Sequence, residues 1–196
     1  MGELALFAAG AVTSPSEKIQ VIAAEHRRDE RSNLRAAQAG SVDAVEALYR
    51  SHWRAAYRAA YLIVHDQAAA EDIAQEAFLS ALRALDRFDR RRPFGPWLHR
   101  IVVNRAIDWS RARALRGEVG ELPDRGSPIA DPSTDEIAPA LSALSPEHRA
   151  VVVLRYLLGY SPGEIAKLLG VPRGTVNSRL RRALDQLADR LREAGT

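Results

Sequence analysis

The sequence predicts an all-α protein of two small helical domains joined by a flexible acidic linker, the C-terminal one a helix-turn-helix. Three observations predict it. Apolar residues recur at spacings of three and four through most of the chain. Ser145-Pro146 and Ser161-Pro162 each stand before such a segment; the serine can cap a helix, and the proline sits where its missing N–H costs nothing. Between these patterns lies "GEVGELPDRGSPIADPSTDEIA", rich in Pro, Gly, Ser and acids and poor in large apolar residues.

Composition narrows the class of function. The net charge is only +3, but the positive charges are placed unevenly and nearly all are arginine; Lys18 and Lys167 are the only lysines. Guanidinium suits phosphates and base edges better than ammonium does. No cysteine is present, so the chain holds no disulfide, thiolate zinc site or cysteine redox centre. No apolar run reaches transmembrane length. The start carries Glu3 and no basic residue before its short apolar stretch, a poor secretory signal. A soluble cytoplasmic protein is expected.

In chain order, residues 1–32 form an extension dominated by charge in "EHRRDER". The first domain is expected over 33–114. Within it, 42–64 reads as a helix with an aromatic stripe of Leu48, Tyr49, Trp53, Tyr57, Tyr61 and Val64, best explained as core. A second helix is expected over 68–85, with Ile73, Ala77, Phe78, Ala81, Leu82 and Leu85 inward. Glu71, Asp72, Gln75 and Glu76 face outward near its N-terminus, where negative charge suits the dipole. "RFDRRRPFGPWLHR" contains two prolines and a glycine and reads as a loop, both arginine-rich and aromatic. The helix resumes in "PWLHRIVVNRAIDWSRARALR", with Trp97, Leu98, Ile101, Val102 and Trp109 packing and His99, Arg100, Asn104, Arg105, Asp108, Arg111 and Arg113 outside. A basic loop and helix with interleaved aromatics suits single-stranded nucleic acid; a solvated basic surface is the bland alternative.

The linker is expected over 115–138 and the second domain over 139–196. In "YSPGEIAKLLGVPRGTVNSRLRRAL", Ser161 and Glu164 form a capping box and Gly170 can end the first helix in the left-handed conformation. Val176, Leu180, Leu184 and Leu187 mark the buried stripe of the second helix. Arg173, Thr175, Asn177, Ser178, Arg181 and Arg182 lie off it. A helix of this kind fits the major groove, where Arg and Asn pair with guanine and adenine edges.

No enzyme is evident. The histidines form no i, i+4 metal pair, and neither a phosphate-binding glycine loop nor a nucleophile elbow is present. His65 with Asp66, Glu71 and Asp72 resembles a metal cluster only superficially, since the carboxylates fit helix capping and dipole terms. No cofactor and no metal are expected.

The order of "AEDIAQEAFLSALRAL", "WLHRIVVNRAIDWSR", a linker, and "LSPEHRAVVVLRYLLGYSPGEIAKLLGVPRGTVNSRLRRAL" resembles bacterial extracytoplasmic-function sigma factors of the sigma-70 family, over 42–191. The resemblance implies a promoter-specificity subunit. It implies that Asp72, Gln75 and Glu76, with Glu71 at the margin, dock on the β′ subunit of core RNA polymerase. Segment 87–113 would open promoter DNA and read the −10 element as a single strand. A flipped base would enter a pocket of the loop 90–95, with Arg90, Arg91, Arg92 and Phe94; Asn104 and Arg105 would contact the strand, and Arg100, Arg111 and Arg113 its phosphates. The helix-turn-helix would read −35 duplex through Asn177, Ser178, Arg181 and Arg182, with Arg173, Gly174 and Thr175 at the phosphate-binding helix start. Partners so implied are the β′ and β subunits, promoter DNA in both forms, and an anti-sigma factor. Two other readings fit parts of the chain: a helix-turn-helix repressor or activator binding duplex as a dimer, and an interaction adaptor. The first leaves the basic aromatic loop without a purpose, and the second leaves the recognition helix idle.

Overall fold

A computed structural model describes residues 28–117 and 132–194. The greater part of the extension, 1–27, and of the expected linker, 118–131, lies outside the described residues. All the regular structure described is helical.

Helix α1 covers 28–38. It buries Leu34 and Ala37 against the first domain, so the expected boundary between 32 and 33 falls inside a helix that belongs to that domain. Gly40, at φ +91°, turns the chain, and Ser41 then caps α2 (Val42–Val64) by accepting the Ala44 amide. Tyr57 and Tyr61 of the aromatic stripe are buried and stacked, while Tyr49 stays 38% exposed and stacks on Trp53. The C-cap of α2 is His65, left-handed at φ 55°, a conformation more often given to glycine or asparagine. Asp66 caps α3 (Gln67–Arg83) through the Ala69 amide at 2.9 Å. Leu85 is buried as expected, but in a separate 3-10 turn, Leu85–Arg87.

Helix α4 (Phe94–Leu115) starts two residues earlier than Pro96, where the sequence placed its resumption. Pro96 fits there because first-turn amides need no intrahelical partner. Helices α2, α3 and α4 pack pairwise. Fully buried alanines, among them Ala56, Ala60, Ala70, Ala74, Ala77, Ala81 and Ala106, let their backbones approach closely.

The second half begins with α5 (Pro132–Leu141). Residues 132–138, expected as linker, are therefore helical, and Ala138 is buried. Ser145 caps α6 (Pro146–Val152), which widens into a π-turn over Val153–Leu157. The Ser161–Glu164 capping box opens α7 (Pro162–Leu169), and Gly170 at φ 68° closes it. Helix α8 (Arg173–Ala194) completes the helix-turn-helix. Its buried stripe is Val176, Leu180, Ala183 and the half-buried Leu187, whereas Leu184 is 42% exposed. Spacing favoured the larger leucine; the helix turns the small alanine inward instead.

The two halves touch. Helix α6 packs on α2 and α4, α7 on α4, and α5 on α2.

Candidate nucleic-acid interface

Helix α3 presents Glu71, Asp72, Gln75 and Glu76 to solvent, as the sequence implied. Gln75 Nε2 donates to Glu71 Oε1 at 3.2 Å. One helical turn further on, the same face exposes Leu79 by half of its surface, which sequence reasoning overlooked by counting only the polar residues. An apolar centre with a polar margin is the usual composition of a protein-docking surface.

The loop between the 3-10 turn and α4 runs over 88–93. Arg90, Arg91 and Arg92 are exposed. Asp89 orders the loop: its Oδ1 accepts from the Arg91 amide and from Arg91 Nε, each at 3.0 Å, and Oδ2 accepts from Nη2 at 3.3 Å. These bonds hold the Asp89 carboxyl below its usual range. Phe94 stands otherwise. It is fully buried, packed among Phe78, Phe88 and Trp97, so its ring is core and not a strand contact in this arrangement. The ring turns inward because Phe94 opens α4 on the face toward α2 and α3.

On α4, Arg100 and Asn104 are exposed. The other expected strand and phosphate contacts are engaged. Arg105 is ion-paired with Glu76 and donates to Ser80 Oγ at 2.8 Å, joining this surface to α3. Arg113 Nη1 donates to Asp66 Oδ2 at 3.0 Å and lies over the Trp109 ring. Arg111 Nε donates to Glu147 Oε1 of the second half at 2.8 Å. His99, placed outside by the sequence, is 7% exposed. Its surface is covered by Tyr160, a residue 61 positions away that no local pattern points to.

The junction between the halves contains several polar groups beside the buried apolar side chains of α6. His99 Nδ1 and the Tyr160 hydroxyl are 2.7 Å apart. Burial lowers His99 to about 4, helped by the nearby His52. Burial lowers His65 to about 3, helped by the Arg149 charge reaching from α6. Arg149 is itself lowered to about 10 by burial, against the pull of Glu147. Among the described residues, buried polar atoms without a hydrogen-bond partner gather here: both His65 ring nitrogens, His99 Nε2 and Arg149 Nε.

On α8, Arg173, Gly174, Asn177, Arg181 and Arg182 are exposed, and Thr175 and Ser178 half-buried. The Ser178 hydroxyl donates to the Thr175 carbonyl at 3.0 Å. Pro172 offers no side-chain acceptor, and the Thr175 and Val176 amides bond its carbonyl. The Arg173 and Gly174 amides therefore point out of an open helix end, a geometry suited to phosphate.

The model of sigma-70 region 2 matches residues 48–116, and that of sigma-70 region 4 matches 134–187. The chain is 36% identical over 170 residues to the ECF RNA polymerase sigma factor SigL of Mycobacterium tuberculosis, covering 81% of this chain and 95% of that one. It is 38% identical over 168 residues to SigM of the same species, covering 83% and 85%. Among solved structures it is similar to CnrH in complex with the cytosolic domain of CnrY, at TM-score 0.66 and 30% identity, covering 84% of this chain and 98% of that one.

Proposed function

The chain belongs to the extracytoplasmic-function RNA polymerase sigma factors, and from that premise we propose which of its surfaces carry the work. As an alternative sigma factor it directs transcription initiation. Helix α3 docks on core polymerase through Asp72, Gln75, Glu76 and the exposed Leu79. The loop 88–93 and α4 take the melted −10 strand, with Arg90, Arg91 and Arg92 on the loop and Arg100 and Asn104 on the helix. Helix α8 reads −35 duplex. The chain performs no catalysis itself; it lends recognition to the polymerase and acts where polymerase acts, in the cytoplasm. Among the described residues no helix is long and apolar enough to cross a membrane.

The observation that carries this reading is the placement of three differently equipped surfaces on one chain: acidic and apolar on α3, basic on the loop and α4, and basic with amides on α8. A dimeric regulator would use only the last. The packed halves add a second element. Arg111 cannot serve the strand while Glu147 holds it, so the reading includes separation of the halves on polymerase. Two weak DNA readers linked through one large partner gain joint affinity. By the same logic, a partner that holds the halves together would silence the chain, the role proposed for an anti-sigma factor.

A pull-down of bacterial core RNA polymerase with the purified chain, followed by run-off transcription from a promoter library, tests the proposal. Saturable binding and transcripts sharing −35 and −10 elements are expected. Tight dimeric binding to duplex DNA without any polymerase binding would overturn it.

A further inference from the structure

Helix α1 fastens both ends of the loop between α3 and α4. At the loop's start, Gln38 Nε2 donates to the Leu85 carbonyl at 2.7 Å and to the Phe88 carbonyl at 3.2 Å. At its end, Glu30 Oε1 accepts from the Phe94 amide at 2.8 Å. Glu30 Oε2 also lies 3.2 Å from His52 Nε2. Burial alone would raise the Glu30 carboxyl; His52 and the Phe94 amide outweigh it, so the group stays ionised and the clasp intact. Gln38 and Glu30 lie two helical turns apart, so their shared face meets the loop. Arg31 and Arg35, one turn apart, are displaced by one residue and stand beside it.

The result is a concavity of about 390 Å³ lined by Arg31, Arg35, Phe88, Asp89, Arg90 and Arg91. That volume falls within the range of small-ligand sites, roughly 300–1,000 Å³. The Asp89 charge is met by Arg91. Arg31 has Glu30 beside it, but that carboxylate is taken up by the Phe94 amide and His52. Arg31, Arg35 and Arg90 thus stand without an ion pair among the described residues. Phe88, stacked on Trp97 with ring centroids 4.5 Å apart, supplies an aromatic wall. Three guanidiniums without an ion pair around an aromatic, on a loop braced at both ends, are suited to the phosphodiester of an unpaired nucleotide. Bracing matters, since ordering a free loop would cost affinity on binding.

Resting on the strand-reading role given to the loop and α4, we propose that Arg31 and Arg35 of α1 clamp a backbone phosphate of the unpaired strand against Arg90, with Phe88 against its base. Helix α1 precedes residue 48, where the region 2 match begins, so this assigns DNA contacts to a segment that match does not include.

The test uses holoenzyme assembled from the full chain and core polymerase, with fluorescent oligo(dT) as the single-strand probe and titrations across a range of salt. The double variant Arg31→Gln/Arg35→Gln is expected to weaken probe binding by roughly tenfold or more, as removal of two charge-assisted hydrogen bonds would. Its salt slope should fall by at most about 0.7, the share of the single phosphate the pair helps to neutralise. Arg31→Lys/Arg35→Lys should keep most of the slope, and core polymerase should bind all variants alike. Unchanged affinity and slope in the glutamine variant, while Arg100→Ala weakens the probe, would overturn the clamp and leave the strand-reading role of α4 standing. If Arg100→Ala also has no effect, that wider role fails and the clamp with it. Reduced binding of core polymerase would make α1 a docking element and overturn the clamp. ATP, added without metal, distinguishes the strand from a free nucleotide: saturable ATP binding to the chain that the glutamine variant abolishes, with oligo(dT) unaffected, would overturn the strand assignment.

Discussion

The hydroxyl of Tyr160 meets Nδ1 of His99 at 2.7 Å, with the two rings nearly perpendicular at 70°. This bond joins α4 of the first half to the residue just before the cap of α7 in the second. Burial keeps the tyrosine protonated, with Glu164 and Glu30 adding to the effect, and keeps the histidine neutral. The pair is a neutral hydrogen bond between surfaces with separate tasks.

Acid should loosen it. His99 is depressed to about 4 and His65 to about 3 from an ordinary value of 6.5. A depressed histidine favours the packed state above the ordinary value, and this contribution falls away as pH drops through the shifted one. Between pH 6.5 and about 4 the packed state should lose up to about 1.4 kcal/mol per pH unit for each histidine released to water. Small-angle scattering should show the radius of gyration rising from pH 7.5 to 4.5. In His99→Phe the rise should be smaller. A radius indifferent to pH in the wild-type chain would contradict this account of the junction.

Removing the tyrosine hydroxyl should have a milder effect of the same kind. Tyr160→Phe loses one hydrogen bond, typically worth about 1 kcal/mol, and leaves a second His99 nitrogen without a partner. Cross-linking between α4 and α7 at neutral pH should fall, while far-ultraviolet circular dichroism stays unchanged. Glu147→Gln should act less strongly, because Arg111 is 55% exposed and its pairing is screened by water.

The docking surface can be probed at its apolar centre. Leu79→Asp should reduce core polymerase affinity by about tenfold or more, since it puts a charge where an apolar side chain would be desolvated. The combined Asp72→Ala/Gln75→Ala variant should weaken it too. Neither should alter the melting temperature by much, since all three side chains are exposed. Normal polymerase binding by both variants would remove α3 from the interface.

On the recognition helix, Arg182→Ala should relax −35 discrimination by about 1–3 kcal/mol at one base position, the usual worth of a bidentate base contact. Competition between matched and single-mismatch duplexes, using holoenzyme, measures it. A uniform loss across all sequences would instead make Arg182 a phosphate contact.

Local chemistry was legible in the sequence, and long-range burial was not. The Ser161–Glu164 box, the Ser145 cap and the left-handed Gly170 are written within four residues of where they act, and each stands where expected. The sigma-type order of modules was legible for a similar reason, because each module carries its own pattern. His99 and Phe94 were misplaced because what buries them lies on other elements: Tyr160 for the one, Phe78 of α3 for the other. Leu184 outranked Ala183 in a reading that rewards size, although helical phase decides the matter. Helix α5 was hidden because Pro132, Ser133 and the acids after them read as linker while the burial of Ala138 was unknown. The arginines of α1 read as a solvated run because the loop they face is more than fifty residues away.

The polar groups at the junction have a consequence for the proposed separation of the halves. Most interfaces that part expose greasy surface and invite aggregation. Here the parting surfaces include His65, His99, Arg149 and the Arg111–Glu147 pair, polar groups that water solvates once they are exposed. Hydration on one side of the equilibrium offsets contacts on the other, which brings the two states closer in free energy. A partner with only a modest preference for one state would then set the population.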